Sequence, residues 1–237
     1  MEFSFDGIGS AAQSMSPAAI PTGHNNKGFF KRALMNLFII AFMFGFVELY
    51  TFCLGSGNGL IGLTISLAII SFWRTDIGIK PLQGAFVIWG SFLLTGGATF
   101  LASFHPAIGV FVNFASIYTI LTLTSHQPMA KAYYPILSCY LFAQSSPVYG
   151  IDYGLRMIGI AGGGLIVAII YYIRHRKVKR RRNITDIFRE THFCSIRTKF
   201  FIRLTTGLTI AMLIGDFYHV LKPAWISFTV LSLVHPF

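Results

Sequence analysis

Charge is what this chain has least of. Only 11% of its 237 residues are Asp, Glu, Lys or Arg, against roughly 25% in an ordinary soluble domain. Acid is scarcer still, with eight Asp and Glu against nineteen Lys and Arg. A chain so poor in charge cannot cover a water-facing surface. A large soluble core would also need polar faces alternating with apolar ones, and most of the sequence shows none. Cysteine is equally thin. Cys53, Cys139 and Cys194 have no paired spacing, which excludes a CxxC centre and a disulfide framework. Cys53 and Cys139 lie in apolar stretches and read as small packed hydrophobes. The first thirty residues hold no apolar run, so no cleaved signal peptide is expected. The GxxxxGK[ST], HExxH and GxSxG patterns are missing. The seven His residues lack metal-ligand spacing and the acids are scattered. Neither an enzyme, a metal nor a cofactor is therefore expected.

What the chain does have is apolar length. It is 54% hydrophobic with 24 Phe, and its mean hydropathy is +0.64. An α-helix rises 1.5 Å per residue, so about 20 apolar residues cross a hydrocarbon core of about 30 Å. The apolar runs predict spans over 33–54, 60–73, 82–104, 107–124, 133–149 and 155–173, a seventh over 200–221, and an eighth that starts near Pro223 and is unfinished at Phe237. The expected fold class is all-α: a polytopic membrane protein with a six-helix block and the start of a second. Gly55-Ser56-Gly57-Asn58-Gly59 reads as a tight turn between the first two spans. Pro106 separates the third from the fourth, because proline disfavours helix at the residue before it. Pro135 and Pro147 mark the fifth as kinked or partly re-entrant.

The cations give this plan an orientation. Lys27, Lys31 and Arg32 precede the first span, Arg74 and Lys80 follow the second, and Lys131 follows the fourth. The run Arg174-His175-Arg176-Lys177-Val178-Lys179-Arg180-Arg181-Arg182 follows the sixth. The alternate loops hold only His105 and Arg156, the latter beside Asp152. Cationic loops stay cytoplasmic, so the reading is a multi-pass cell-membrane protein with a cytoplasmic N-terminus. The basic run at 174–182 is placed against anionic headgroups, and nucleic acid is set aside as a partner. Four segments follow: a disordered cytoplasmic tail over 1–28, rich in Gly, Ser, Ala and Pro; the six-span block over 29–173; a basic connector over 174–199; and the start of a second block over 200–237. In the connector, Asn183 with Asp186 resembles a capping box, and Ile184, Ile187, Phe188 and Thr191 fall at helical spacing. A short amphipathic helix on the inner surface and a plain linker both fit.

Charge inside a membrane is expensive, so each intramembrane ionisable group is a candidate with a bland alternative. Glu48 lies near the outer end of span one. Asp216 and His219 lie one turn apart near the outer end of span seven and share a face. These three are proton-relay candidates for transport, or they reach water and set helix depth. Arg32 and Arg203 enter their helices at the inner interface, where they snorkel or hold an anion. Arg156 pairs with Asp152 in water, contributing little, or guides anions as the strong cation of that face. Gly159 and Gly163 are four apart, as are Gly207, Ala211 and Gly215, a spacing that lets helices pack closely in lipid. Gly162-Gly163-Gly164 packs or unwinds.

The later part of the chain carries a family resemblance. Phe200-Phe201-Ile202-Arg203 echoes Phe29-Phe30-Lys31-Arg32, with Thr229 standing where Thr64 stands in the earlier hairpin. Arg203-Leu204 leads to Lys222-Pro223-Ala224-Trp225-Ile226-Ser227-Phe228-Thr229-Val230-Leu231-Ser232-Leu233-Val234-His235-Pro236. This Trp-x-x-x-Thr-Val segment, Trp225 to Val230, ending near Pro236, resembles the fusaric acid resistance or aromatic acid exporter-like family. The six spans, the basic connector and the restart match that family's plan. The resemblance implies an exporter, or exporter part, for aromatic or other organic acids, driven by the proton gradient, with a small organic anion as substrate. Where the family continues through further helices this sequence stops, so a C-terminally truncated member is expected. A membrane scaffold and an inactive fragment remain the alternatives. The bilayer is the expected partner, and a homo-oligomer is compatible.

Overall fold

A computed structural model describes residues 26–124, 131–178, 182–189, 196–218 and 223–234. Most of the expected tail lies outside these residues, as do Lys179, Arg180 and Arg181 of the basic run, Thr191, Cys194, His219 and Pro236. The described residues form nine α-helices and no strand: α1 (Asn26–Leu54), α2 (Gly59–Arg74), α3 (Pro81–Ala102), α4 (Pro106–Thr124), α5 (Tyr134–Ser145), α6 (Ile151–His175), α7 (Ile184–Arg189), α8 (Ile196–Phe217) and α9 (Pro223–Leu233). The chain divides into two compact units, Met1–Ala41 and Phe42–Phe237. Within the described part of the first, α1 exposes Phe30, Leu34, Leu37 and Phe38. The second unit holds everything from Phe42 onward.

Local sequence sets the helix limits. Pro81 and Pro106 occupy the first helical position of α3 and α4, where a missing N–H costs nothing. Gly55 takes φ of +89° where the chain leaves α1. It precedes a single 3-10 turn, Ser56–Asn58, that leads into α2. Gly150, at φ +62°, precedes α6.

The second unit has an apolar core with hydroxyls set in it, and its surface is apolar as well. Thr64, Ser66, Ser91 and Thr95 are fully buried, while Phe52, Phe111 and Ile151 are 88%, 77% and 84% exposed. Water would reject that distribution and hydrocarbon accepts it. These four hydroxyls are satisfied within their own helices. Thr64 donates to Ile61 O, Ser91 to Val87 O and Thr95 to Ser91 O, at 2.7–2.9 Å, as a solvent without hydrogen bonds demands. Among the described residues, six helices are long and apolar enough to cross a membrane: Phe30–Leu54, Ser56–Arg74, Pro81–Ala102, Ala107–Thr124, Ile151–His175 and Ile196–Phe217. The chain is an all-α, multi-pass integral membrane protein.

The structure redraws the fifth and seventh spans and the place of Cys53, and it keeps the connector helix short. The fifth span, expected over 133–149, is helical for only 12 residues. Pro147 has no N–H to continue the helix and pushes Ser146 out of the helical region, whose ψ there is 75°. Pro135 sits in the first turn of α5 and so bends nothing. The connector helix is short, at six residues. The main-chain N–H of Asn183 donates to Asp186 Oδ2 at 2.8 Å, which is one half of the expected capping box. The seventh span starts at Ile196 and stops at Phe217, earlier at both ends than 200–221. Cys139 packs fully buried as expected, but Cys53 is exposed.

The packing defines two ends within the second unit. At one, Arg174 lies over the Trp73 ring at 5.6 Å, Tyr171 Oη donates to Asp76 Oδ1 at 2.7 Å, and Lys80 N–H donates to Arg182 O. Ile184 N–H donates to Gln83 Oε1, and Tyr133 meets Phe200 at 6.2 Å. This is the basic end. The other end carries the 3-10 turn, the α3–α4 and α5–α6 connections and the close of α8.

Candidate functional site

α5 is the innermost short element, with Ile136, Leu137, Cys139 and Tyr140 fully buried. It packs against α2, α3, α4 and α9. Because it is helical and narrow, its opposite faces border two separate spaces.

The larger is a groove of about 1050 Å³ between α2, α5 and α9. Lys131 stands at its basic end, with Ser71, Tyr134 and Ser232 also in the lining. Ser138, Phe142, Trp225 and Phe228 line it further along, and Ser145, Ser146 and Pro223 lie toward the other end. Phe142 and Phe228 meet at 4.7 Å between ring centres. Leu60, Leu67 and Trp225 are exposed along the rim. The groove therefore offers an aromatic and aliphatic wall, scattered hydroxyls and one cation at an end. Sites for small organic molecules have this mixture of apolar wall and few polar anchors.

The smaller space, about 340 Å³, is bordered by Ala102, Gly109, Asn113, Gln144, Thr209 and Asp216, among others. Tyr140 Oη donates to Asn113 Oδ1 at 2.6 Å behind it. Thr209 Oγ1 donates to Thr205 O at 2.9 Å. Gln144 Oε1 is buried without a hydrogen-bond partner.

Arg156 closes the end of α5. It is 2% exposed, and its guanidinium is engaged on every side. Nε donates to Asn58 Oδ1 at 2.8 Å, and Nη2 donates to Gly57 O at 2.9 Å. Nη1 donates to Ala143 O at 3.2 Å and to Ser146 O. Asn58, itself buried, donates to Leu54 O at 2.7 Å. Carbonyls at a helix C-terminus have no partner within the helix and carry partial negative charge. One guanidinium thus caps α5 and clamps the 3-10 turn, by the planar donor fork that only Arg has. The expected water-exposed pairing of Arg156 with Asp152 is not what forms. Asp152 is exposed on the first turn of α6, while Arg156, one turn on, faces inward.

No family model, curated protein or solved structure matches the chain.

Other sequence candidates scatter. Asp216 is exposed and borders the smaller space. Glu48 is exposed on α1 and lines neither space. Arg32 and Arg203 are exposed, each about two turns inside its helix rather than at its start. Trp225 and Thr229 lie on α9, where Thr229 Oγ1 donates to Trp225 O at 2.8 Å. The small residues lie in packing seams. A side chain at Gly159 would overlap Tyr50, one at Gly163 would overlap Ile65, and one at Gly215 would overlap Pro223. Gly207 faces Val230 more loosely, and Ala211 is buried. α6 runs unbroken through Gly162-Gly163-Gly164.

Sequence reasoning did not single out Lys131, Phe142, Phe228, Asn58 or Gln144 as site residues. Lys131 carried a signal, being the cation of its short loop. The others needed tertiary contacts: Arg156 and Asn58 are 98 positions apart.

Proposed function

We propose that the chain is a membrane transporter, or part of one, that exports aromatic or other organic acids, with the groove between α2, α5 and α9 as its binding surface. The observation that carries this is the placement of Lys131 at one end of an aromatic-lined groove of about 1050 Å³. A carboxylate at Lys131 finds a charge partner and the Ser71 hydroxyl in the same lining. The ring then extends over Phe142, Phe228 and Trp225, where apolar and stacking contacts hold it. The Trp225-to-Val230 segment, by its resemblance to the fusaric acid resistance or aromatic acid exporter-like family, supports the same reading. Trp225 and Phe228 of that segment line the groove. Proton coupling through Asp216 and a cytoplasmic N-terminus belong to this proposal.

The test is efflux of radiolabelled benzoate from cells expressing the full chain, with uncharged benzamide as control. Lys131→Gln is expected to lower benzoate efflux about tenfold, the loss of one charge-assisted contact worth roughly 1.5 kcal/mol. Lys131→Arg keeps most of it, and benzamide is indifferent to both. Equal benzoate efflux with and without the protein, once its insertion is verified, would sink the proposal. A second outcome has its own support. Arg176 and Lys177 are exposed beyond α6, so loss of anionic-vesicle recruitment on neutralising them, with no efflux phenotype, favours a scaffold.

A further inference from the structure

The groove between α2, α5 and α9 is longer than one aromatic acid. It follows the whole of α5, from Lys131 and Tyr134 to Ser145 and Ser146, and the twelve residues of that helix rise about 18 Å. A bare aromatic acid anchored at Lys131 is one ring long and leaves the Ser145 end empty. From Tyr134 to Phe142 the rise is already about 12 Å. Phe142 meets Phe228, and Trp225 lies one turn of α9 further on, toward the end that holds Pro223.

The direction in which the groove opens matters as much as its length. Leu60, Leu67 and Trp225 on its rim are 45%, 39% and 68% exposed. Leu60 and Leu67 belong to a helix long and apolar enough to span the membrane, so this rim faces hydrocarbon. A ligand that enters there is already dissolved in the bilayer. Lys131 is exposed at the basic end, where a lysine holds its ammonium at the polar boundary. Its φ of +50° is one that side chains rarely adopt. Its carbonyl accepts Tyr134 N–H at 3.0 Å, which ties the cation to the first turn of α5. From that end inward the lining runs from a charge and the Ser71 hydroxyl to the apolar wall of Phe142, Phe228 and Trp225. An amphiphile standing in one leaflet has the same layout. One leaflet is about 15 Å deep, half of the roughly 30 Å hydrocarbon core, which is the reach of a single acyl chain and close to the length of the groove.

We propose that the groove takes a single-chain carboxylate of the long-chain fatty-acid class laterally from the bilayer, with its carboxylate at Lys131 and its chain laid along α5 toward Trp225. This narrows the substrate of the exporter reading and rests on that reading for the choice of a carboxylate. The tail passes from lipid to an equally apolar wall, a transfer with little driving force of its own. The contact between carboxylate and Lys131 therefore decides the affinity, and an uncharged molecule with the same tail lacks the anchor.

The test uses the full purified chain in detergent and involves no transport step, so its failure and the failure of benzoate efflux are separate results. Stearate brominated at carbons four and five, or at carbons eleven and twelve, is titrated while tryptophan fluorescence is followed. The Trp225 signal is the difference between the parent and Trp225→Phe. Bromine at carbons eleven and twelve is expected to quench that signal more strongly, because Trp225 stands about 16 Å along the groove from the level of Tyr134. Lys131→Gln is expected to raise the apparent dissociation constant of the acid about tenfold. Stearyl alcohol brominated at the same carbons should not distinguish Lys131→Gln from the parent. Equal quenching from both bromine positions, or an acid indifferent to Lys131→Gln, is the behaviour of micelle partition and overturns the proposal. So does a Trp225 signal that neither bromoacid reaches, the result expected if a second copy or a phospholipid fills the groove.

Discussion

Replacing Arg156 by Met keeps an unbranched side chain of similar reach and removes every donor. Four acceptors are then left facing one another: Asn58 Oδ1 and the carbonyls of Gly57, Ala143 and Ser146. A hydrogen bond to a charged group contributes about 1.5–3 kcal/mol, so a simple sum would exceed 6 kcal/mol. Methionine does not incur the several kcal/mol of burying a cation, however, which offsets part of the loss. The expected net destabilisation is about 3–5 kcal/mol, the usual consequence of breaking a buried charged network. That corresponds to a fall in Tm on the order of 10 °C for a chain of this size. Arg156→Lys keeps the charge but offers a compact ammonium in place of a planar fork, and about half of the loss is expected. Asn58→Ala removes one of the four acceptors. Combined with Arg156→Met, it should cost about 1–3 kcal/mol less than the two single losses added together, because the two residues share a hydrogen bond. The assay is reversible unfolding in mixed micelles followed by near-ultraviolet circular dichroism. Arg156→Met within about 0.5 kcal/mol of the parent, or strict additivity with Asn58→Ala, would refute the clamp. If Arg156 instead guided anions, its replacement would alter substrate selectivity and leave Tm unmoved.

Further expectations follow from single contacts. Tyr50 Oη is buried without a partner, so Tyr50→Phe is expected to be neutral or to stabilise by up to about 1 kcal/mol, and a clear loss in thermal unfolding would contradict the packing. Gly159→Ala pushes a methyl into Tyr50 and Leu54 and should cost about 1–3 kcal/mol, part of it recovered in the Gly159→Ala, Tyr50→Phe pair. Tyr171→Phe loses the 2.7 Å bond to Asp76, about 1 kcal/mol, and should quicken amide exchange across 75–80. Gly78 N–H, still held by Asp76 at 3.0 Å, should slow that opening. Finally, cysteines placed at Gly78, Lys131 and Val178 in a cysteine-free background should react with an impermeant maleimide from one side of the membrane, and those at Gly57 and Tyr149 from the other. A mixed pattern would break the assignment of the two ends.

The helices were legible because their signal is one-dimensional. An apolar run of spanning length needs no tertiary information, and Pro106 and the Gly55-to-Gly59 turn mark breaks on their own. α5 was misjudged because apolar residues continue through Val148 and Tyr149 although Pro147 has already ended the hydrogen-bond ladder. Pro147 was read as a kink or re-entrant point inside the span, and in the fold it lies beyond the helix end at Ser145. The direction of Arg156 was missed for a different reason. Hydrophobic periodicity says which way a helix faces only when its solvent differs from its core, and in hydrocarbon the two are alike. The local signal was the small-residue face: Arg156 stands three and seven positions before Gly159 and Gly163 and is buried with them, a placement that reading Arg156 only against Asp152 passed over. The two spaces depended on partners far apart in sequence. Of their borders, sequence drew notice to Asp216 as an intramembrane acid, to Lys131 as a loop cation, to Pro135 as a breaker and to the Pro223-to-Ser232 stretch as part of a motif, but not to their meeting.

The shortness of α5 ties these features together. Twelve residues give about 18 Å of helix, well below the roughly 30 Å of a hydrocarbon core, yet its ends meet opposite ends of the unit, Tyr133 against Phe200 and Ser146 against Arg156. At least one terminus therefore lies at a depth where water cannot serve its unpaired main-chain groups. Irregular backbone at that depth persists only where protein or a polar space satisfies it. Arg156 supplies the donors for the Ala143 and Ser146 carbonyls, so a cation is buried there to permit a helix too short for its bilayer. A full-length helix would have needed no such clamp, but it would also have carried helix past Ser146, where the groove ends beneath the clamp. On this geometry the price of a short central helix is one buried arginine, and what it makes room for is two spaces separated by the width of a single helix. Phe142 borders the groove and Gln144, two residues on, borders the smaller space, so they lie on opposite faces of one turn, and a shift of α5 that admits an organic anion on one side alters the wall of the other.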